Sequence, residues 1–165
     1  MLILNTGGTF NKRYNPLKGE LEVPKDSIAL EHILKYFYNL KYEIKNIIHK
    51  DSLEMQTSDR KEMVELIKNS SYKKVLIIHG TDTMDKTAEF LEEYVSEKTI
   101  LLTGAMMPFS IDSVEANANV SMSIGYLLNS TKNGVYVSMH GLVDIHNRVF
   151  KNREIGVFQS LTCKG

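Results

Sequence analysis

The chain has 165 residues, 42% of them hydrophobic and 24% charged, with a formal net charge of zero. That composition suits one globular domain and provides no basic surplus for nucleic acid or anionic membrane surfaces. Its one cysteine, Cys163, cannot staple a fold, and no apolar run approaches the roughly 20 residues that cross a bilayer.

The chain opens with MLIL, a strand-like run that ends in Asn5-Thr6-Gly7-Gly8-Thr9. The start lacks a charged n-region and has too short an apolar stretch for a signal peptide, so a cytoplasmic protein is expected. Residues 10–27 are polar, with Pro16, Gly19 and Pro24, and read as a long loop. Such a loop in a compact domain is usually functional or mobile. Ser27 is placed to cap a helix over 28–39, with Ile28, Leu30, Ile33, Leu34 and Phe37 at helical spacing. Tyr36, Phe37 and Tyr38 are then helix residues that serve the core or a subunit contact.

Residues 42–48 alternate like a strand. Asp59, with Glu62 three residues on, resembles a capping box for a helix over 59–70. KVLIIHG (74–80) is a continuous apolar run, as expected of a parallel strand buried on both faces. A helix over 83–96, a strand over 99–106, a helix over 113–130 and a strand over 134–141 follow, then a short hairpin-like tail. No repeat or linker divides this order. It predicts a single α/β domain over 1–165, three-layered αβα, with a mainly parallel sheet in flavodoxin-like order.

In such a sheet ligands bind beyond the carboxyl ends of the strands. Four of those ends carry glycine with hydroxyl or imidazole groups: Thr6-Gly7-Gly8-Thr9, His79-Gly80-Thr81-Asp82, Thr103-Gly104-Ala105 and His140-Gly141. Bare glycine backbone lets N–H donors approach a bound oxygen, although a plain tight turn needs the same residues. Without GxxxxGK[ST] or GxGxxG a nucleotide site is disfavoured. A threonine hydroxyl becomes a nucleophile only when a base takes its proton, and a lysine held by a carboxylate can serve. Thr9, Thr81, Asp82 and Lys151 offer that chemistry, although composition alone makes Lys151 an ordinary surface lysine. His32, His49, His140 and His146 show no metal spacing, and His79 reads as structural support. Met106 and Met107 read as core or pocket wall, and Cys163 as an inert tail residue.

TGGTF (6–10) and HGTDTM (79–84) together resemble the two signature motifs of the L-asparaginases. TGAMMP (103–108) and MHGLVDIHNRVFKNRE (139–154) resemble that family's next strand end and the segment carrying its catalytic lysine. The resemblance runs in order along the whole chain. It implies an amidohydrolase that cleaves asparagine to aspartate and ammonia through a threonine acyl-enzyme, with no cofactor or metal. It implies Thr9 as nucleophile, and Thr81 as second catalytic threonine served by Lys151 and Asp82. Asp82 also matches a residue that binds the substrate's α-amino group, and Ser52 one that grips the α-carboxylate. Gly8, Gly80, Thr81 and Ala105 line the substrate site, the 10–27 loop becomes a lid, and Tyr14 matches a lid tyrosine.

The departures are specific. Leu53 stands where many members carry a substrate-contacting glutamine, and the family's smaller C-terminal domain has no counterpart in these residues. A homo-oligomer, at least a dimer, acting on a small amino acid is expected. The alternatives are an amino-acid- or partner-binding domain with little turnover, and a related amidase such as the ammonia-producing part of a tRNA-dependent amidotransferase.

Overall fold

The structure is a computed structural model and describes residues 1–161; Cys163 lies outside the described residues. Six strands form the main sheet: β1 (Leu2–Gly7), β4 (Glu43–Lys50), β5 (Lys74–Ile78), β6 (Thr99–Thr103), β7 (Gly134–Met139) and β8 (Leu142–Ile145). Their spatial order is β4-β1-β5-β6-β7-β8; the first five are parallel and β8 runs antiparallel to β7. Counted along the chain, the parallel strands lie 2-1-3-4-5, the flavodoxin-like order.

Alternation along each strand divides the core between two faces. Leu2, Leu4, Val75, Ile77, Ile100 and Leu102 face α2 (Thr57–Asn69) and α3 (Met84–Tyr94), through Met63, Ile67, Ala88 and Leu91. Ile3, Leu76, Ile78 and Leu101 face α1 (Ile28–Leu34) and α4 (Ser113–Asn129), through Leu30, Ile33, Val120, Ile124 and Leu127. Both faces are covered, which is why these strands read as unbroken apolar runs. Among the described residues no helix is long and apolar enough to cross a membrane.

Several boundaries differ from the sequence reading. The 10–27 segment is a short 3₁₀ turn (Thr9–Asn11) followed by a small hairpin, β2 (Arg13–Asn15) with β3 (Glu20–Glu22). Its strands are three residues long and largely solvent-facing, so no buried face wrote an alternation into the sequence. Helix α1 stops at Leu34, and Tyr36 and Phe37 donate to carbonyls three residues back, a tightening that ends the helix. Tyr36 and Tyr38 therefore lie beyond the helix, exposed to solvent.

Strand β4 runs on to Lys50. Helix α2 begins two residues early, because Asp59 lies in its first turn and its carboxylate accepts the Gln56 N–H at 2.8 Å; Asp59 is not the cap itself. The tail contributes β8 to the main sheet and then forms a separate two-stranded ribbon, β9 (Val149–Asn152) with β10 (Val157–Ser160).

Candidate active site

The carboxyl ends of the parallel strands meet along one edge, and glycine makes the meeting close. Gly8 has φ +72°, and a Cβ there would lie 2.5 Å from the N and Cα of Gly80. A Cβ on Gly80 would lie 2.6 Å from the side chain of Ser52, and one on Gly104 would lie 2.3 Å from the His79 carbonyl oxygen. The ends of β1, β4, β5 and β6 thus pack against one another at distances that any side chain would prevent. Gly8 provides room here rather than a free donor, since its N–H is given to the Lys50 carbonyl at 3.0 Å.

The threonines of the two motifs divide their work. Thr6 is fully buried and its hydroxyl donates to the Ile78 carbonyl at 2.8 Å, tying β1 to β5. Thr83 donates to the Ser52 carbonyl at 2.8 Å and holds the turn after β4. Thr9 is half-buried on the 3₁₀ turn just past Gly8. Thr81 is nearly buried, and its hydroxyl accepts from Lys151 Nζ at 3.0 Å. Lys151 Nζ also donates to Asp82 Oδ1 at 2.7 Å. The geometry therefore brings together Thr81, Lys151 and Asp82, residues 70 positions apart in sequence, in one continuous contact. A cleft of about 90 Å³ flanks the cluster, lined in part by Asp85, Phe150 and Phe158.

Ser52 Oγ is buried and has no hydrogen-bond partner among the described residues. An unpartnered buried hydroxyl is costly, and here it lies against the bare face of Gly80. Ala105 is buried in the turn after β6. That turn is held by Asn119 on the Gly104 carbonyl at 3.0 Å, and by Glu115, whose carboxylate accepts from the Met106 and Met107 amides at 2.8 and 3.0 Å. Tyr14 lies on β2 with 62% of its surface exposed.

His79 supports the site from within. Its Nδ1 lies 2.7 Å from the Gly80 carbonyl and its Nε2 3.1 Å from Met55 Sδ, and complete burial lowers its pKa to about 4. A neutral imidazole with its proton on Nδ1 donates to the Gly80 carbonyl, and Nε2 then meets the Met55 sulfur with no proton between them.

Three charged groups escaped the sequence reading. Arg153 donates to Asp82 Oδ1 at 3.1 Å and to the Asp82 carbonyl at 2.7 Å, so Asp82 serves two cations. Lys12 pairs with Asp51 at 2.6 Å, joining the turn after β1 to the turn after β4. Burial alone would raise Asp51, but Lys12 and the Leu53 amide outweigh it and hold its pKa below the usual carboxylate value. Arg13 grips Asp26 through both carboxylate oxygens, at 3.2 and 2.6 Å, and closes the base of the β2–β3 hairpin. Each pairing joins residues distant in sequence, and the only sequence signal was opposite charge near a motif.

Fold and site define a doubly wound α/β domain with a hydroxyl–amine–carboxylate cluster at the carboxyl edge of its sheet. The chain belongs to the asparaginase family: residues 1–163 match the family described as "Asparaginase, N-terminal". It is 25% identical over 167 residues to an L-asparaginase of Thermococcus kodakarensis, covering 98% of this chain and 51% of that protein. It is 32% identical over 147 residues to a subunit of the glutamyl-tRNA(Gln) amidotransferase of Methanococcus vannielii, covering 86% of this chain and 34% of that one. Among solved structures, the thermostable L-asparaginase from Thermococcus kodakarensis superposes with a TM-score of 0.83 at 24% identity, covering 96% of this chain and 50% of that chain. A probable cytoplasmic L-asparaginase from Campylobacter jejuni gives 0.78 at 24% identity, covering 96% and 52%. These two likenesses establish the fold. The chain spans about half the length, or less, of the curated relatives it matches.

Proposed function

We propose that residues 1–165 form one catalytic-motif domain that hydrolyses the side-chain amide of L-asparagine to L-aspartate and ammonia. The observation that carries the reading is the Lys151 ammonium set between Thr81 Oγ1 and Asp82 Oδ1. Thr9 Oγ attacks the amide carbon, the C–N bond breaks, and ammonia leaves with the proton that Thr9 gave up. The resulting ester on Thr9 is then cleaved by water. Lys151 takes the Thr81 hydroxyl proton as Thr81 takes one from the incoming water, and a proton returns to the Thr9 oxygen that leaves the ester, while Asp82 holds Lys151 in place. The orphan hydroxyl of Ser52, beside Gly80, is the group assigned to the substrate's α-carboxylate, with Gly8, Gly80 and Ala105 forming the wall around it. Tyr14 and the β2–β3 hairpin are assigned to a lid that closes from the Lys12–Asp51 side. We place the protein in the cytoplasm as a homo-oligomer, at least a dimer.

The test is ammonia release from asparagine by purified protein, with glutamine in parallel. Wild type is expected to release ammonia, and Thr9→Ala, Thr81→Ala and Lys151→Ala to lose about 10²- to 10⁴-fold in rate. Wild-type release no greater than that of Thr81→Ala removes the hydrolytic reading. The second reading, an amino-acid-binding domain with little turnover, draws on Arg153, whose guanidinium already occupies Asp82. Aspartate binding by calorimetry without ammonia release would establish it.

A further inference from the structure

The β9–β10 ribbon that carries Lys151 is not part of the main sheet. A two-stranded ribbon alone is marginally stable, so a lysine on it is placed only as well as the ribbon is tethered. One tether comes from the end of β7. His140 accepts the Phe158 backbone N–H on Nδ1 at 3.1 Å, and its ring stands edge-on to the Phe158 ring at 5.8 Å. Phe158 is the cross-strand partner of Lys151. Its N–H points away from β9, which makes Phe158 and Lys151 a non-hydrogen-bonded pair, the closer of the two antiparallel spacings.

The rest of the His140 environment fixes which nitrogen can do this. A backbone amide only donates, so Nδ1 carries no proton and the ring proton sits on Nε2. Nε2 lies 2.9 Å from Glu115 Oε1, which accepts it. Glu115 also accepts from the amides of Met106 and Met107, in the turn that bears Ala105. The His140 backbone is held as well: its N–H donates to Asn119 Oδ1 at 3.0 Å, and its φ of 52° is the only positive value at a non-glycine among the described residues. A residue held in that region by side-chain bonds on both sides is over-determined by its surroundings.

We propose that His140 is a positioning residue for Lys151, acting through Phe158, with Glu115 setting the tautomer that makes this hydrogen bond. The proposal rests on the reading of Lys151 as the base that serves Thr81. It goes beyond that reading in linking the turn after β6, through Glu115 and His140, to the strand that carries the base.

Two conservative variants separate the tether from the bulk of the ring. His140→Asn places an acceptor near the Nδ1 position and tolerates positive φ. His140→Gln reaches Glu115 with an amide N–H but leaves Phe158 without an acceptor at Nδ1. In ammonia release, His140→Gln is expected to lose about ten- to a hundredfold in kcat with KM unchanged, the cost of one orphaned buried N–H. His140→Asn is expected to keep kcat near wild type. By NMR, amide exchange at Phe158 accelerates and the Lys151 ¹³Cε resonance moves in His140→Gln, while both stay near wild type in His140→Asn. The proposal is overturned if His140→Gln leaves the Phe158 exchange and the Lys151 resonance unchanged, or if His140→Asn loses as much as His140→Gln. Absence of ammonia from the wild type sinks the hydrolytic reading instead, and the NMR comparison still decides whether His140 places Lys151.

Discussion

At the scale of single residues, the carboxylate of Asp82 is the most contested group in the site. Its Oδ1 accepts from both Lys151 and Arg153. Arg153 is 60% exposed, so its ion pair contributes little to stability, roughly 0–1 kcal/mol. If Asp82 takes the substrate's α-ammonium, Arg153 competes for it. Arg153→Ala is then expected to lower KM for asparagine by about two- to fivefold, the equivalent of such a surface pair, with kcat little changed. Steady-state ammonia kinetics check this, and an unchanged or raised KM refutes it. His79 makes a separate prediction. Its folded pKa of about 4 lies below the ordinary value of 6.5, so between those values the unfolded chain binds a proton that the folded chain does not. Stability therefore falls as pH drops from about 6.5 to about 4, by roughly 3 kcal/mol in all for this group. Urea unfolding of wild type and His79→Gln across that range should show the wild-type slope flattened in the variant. The role of His79 as support was legible from its place at a strand end. Arg153 and Glu115 were not, and His140 was read only as an imidazole at a strand end, because each meets a partner that only the fold brings near.

At the scale of elements, the strand ends were legible and the hairpin was not. A parallel strand covered on both faces writes itself into sequence as an apolar run, and a turn that packs backbone on backbone writes itself as glycine. The β2–β3 hairpin buries no such face and is closed at its margin by the Arg13–Asp26 ion pair. The two kinds of glycine can be told apart by experiment. Gly8 and Gly19 share φ +72°, but a Cβ on Gly8 would strike Gly80 at 2.5 Å whereas one on Gly19 meets nothing within 4 Å. Gly19→Ala should incur the left-handed backbone strain alone, about 1–2 kcal/mol. Gly8→Ala adds a backbone collision to a conformation, φ 72° with ψ −175°, that is essentially closed to other residues, and its Tm should fall by roughly 6–12 °C in total. Differential scanning calorimetry of the two variants measures the difference. Equal shifts would mean that the β1–β5 approach is not tight.

At the scale of the whole molecule, the same edge that gathers the motifs also gathers exposed apolar groups. Leu53 follows β4, and Met107, Ile111 and Val114 lie in or just after the connection that leaves β6. Leu53 is 70% exposed, Ile111 61% and Val114 73%. Scattered exposed leucines are ordinary, but several on connections flanking one candidate site fit a surface that a second copy covers. This placement is what supports the proposed homo-oligomer. Sedimentation equilibrium at micromolar concentration should give at least twice the 18.8 kDa mass of one chain. Leu53→Ser combined with Ile111→Ser should move the protein toward monomer with little change in Tm, since neither side chain belongs to the core. A wild type that stays monomeric across the concentration range would overturn the oligomer, and the Thr81–Lys151–Asp82 cluster would then have to act with the open edge in water. If the double variant is monomeric and keeps its ammonia release, the second copy supplies nothing that the site needs. If release falls with dissociation while binding of aspartate weakens in parallel, the second copy supplies part of the wall that holds the substrate.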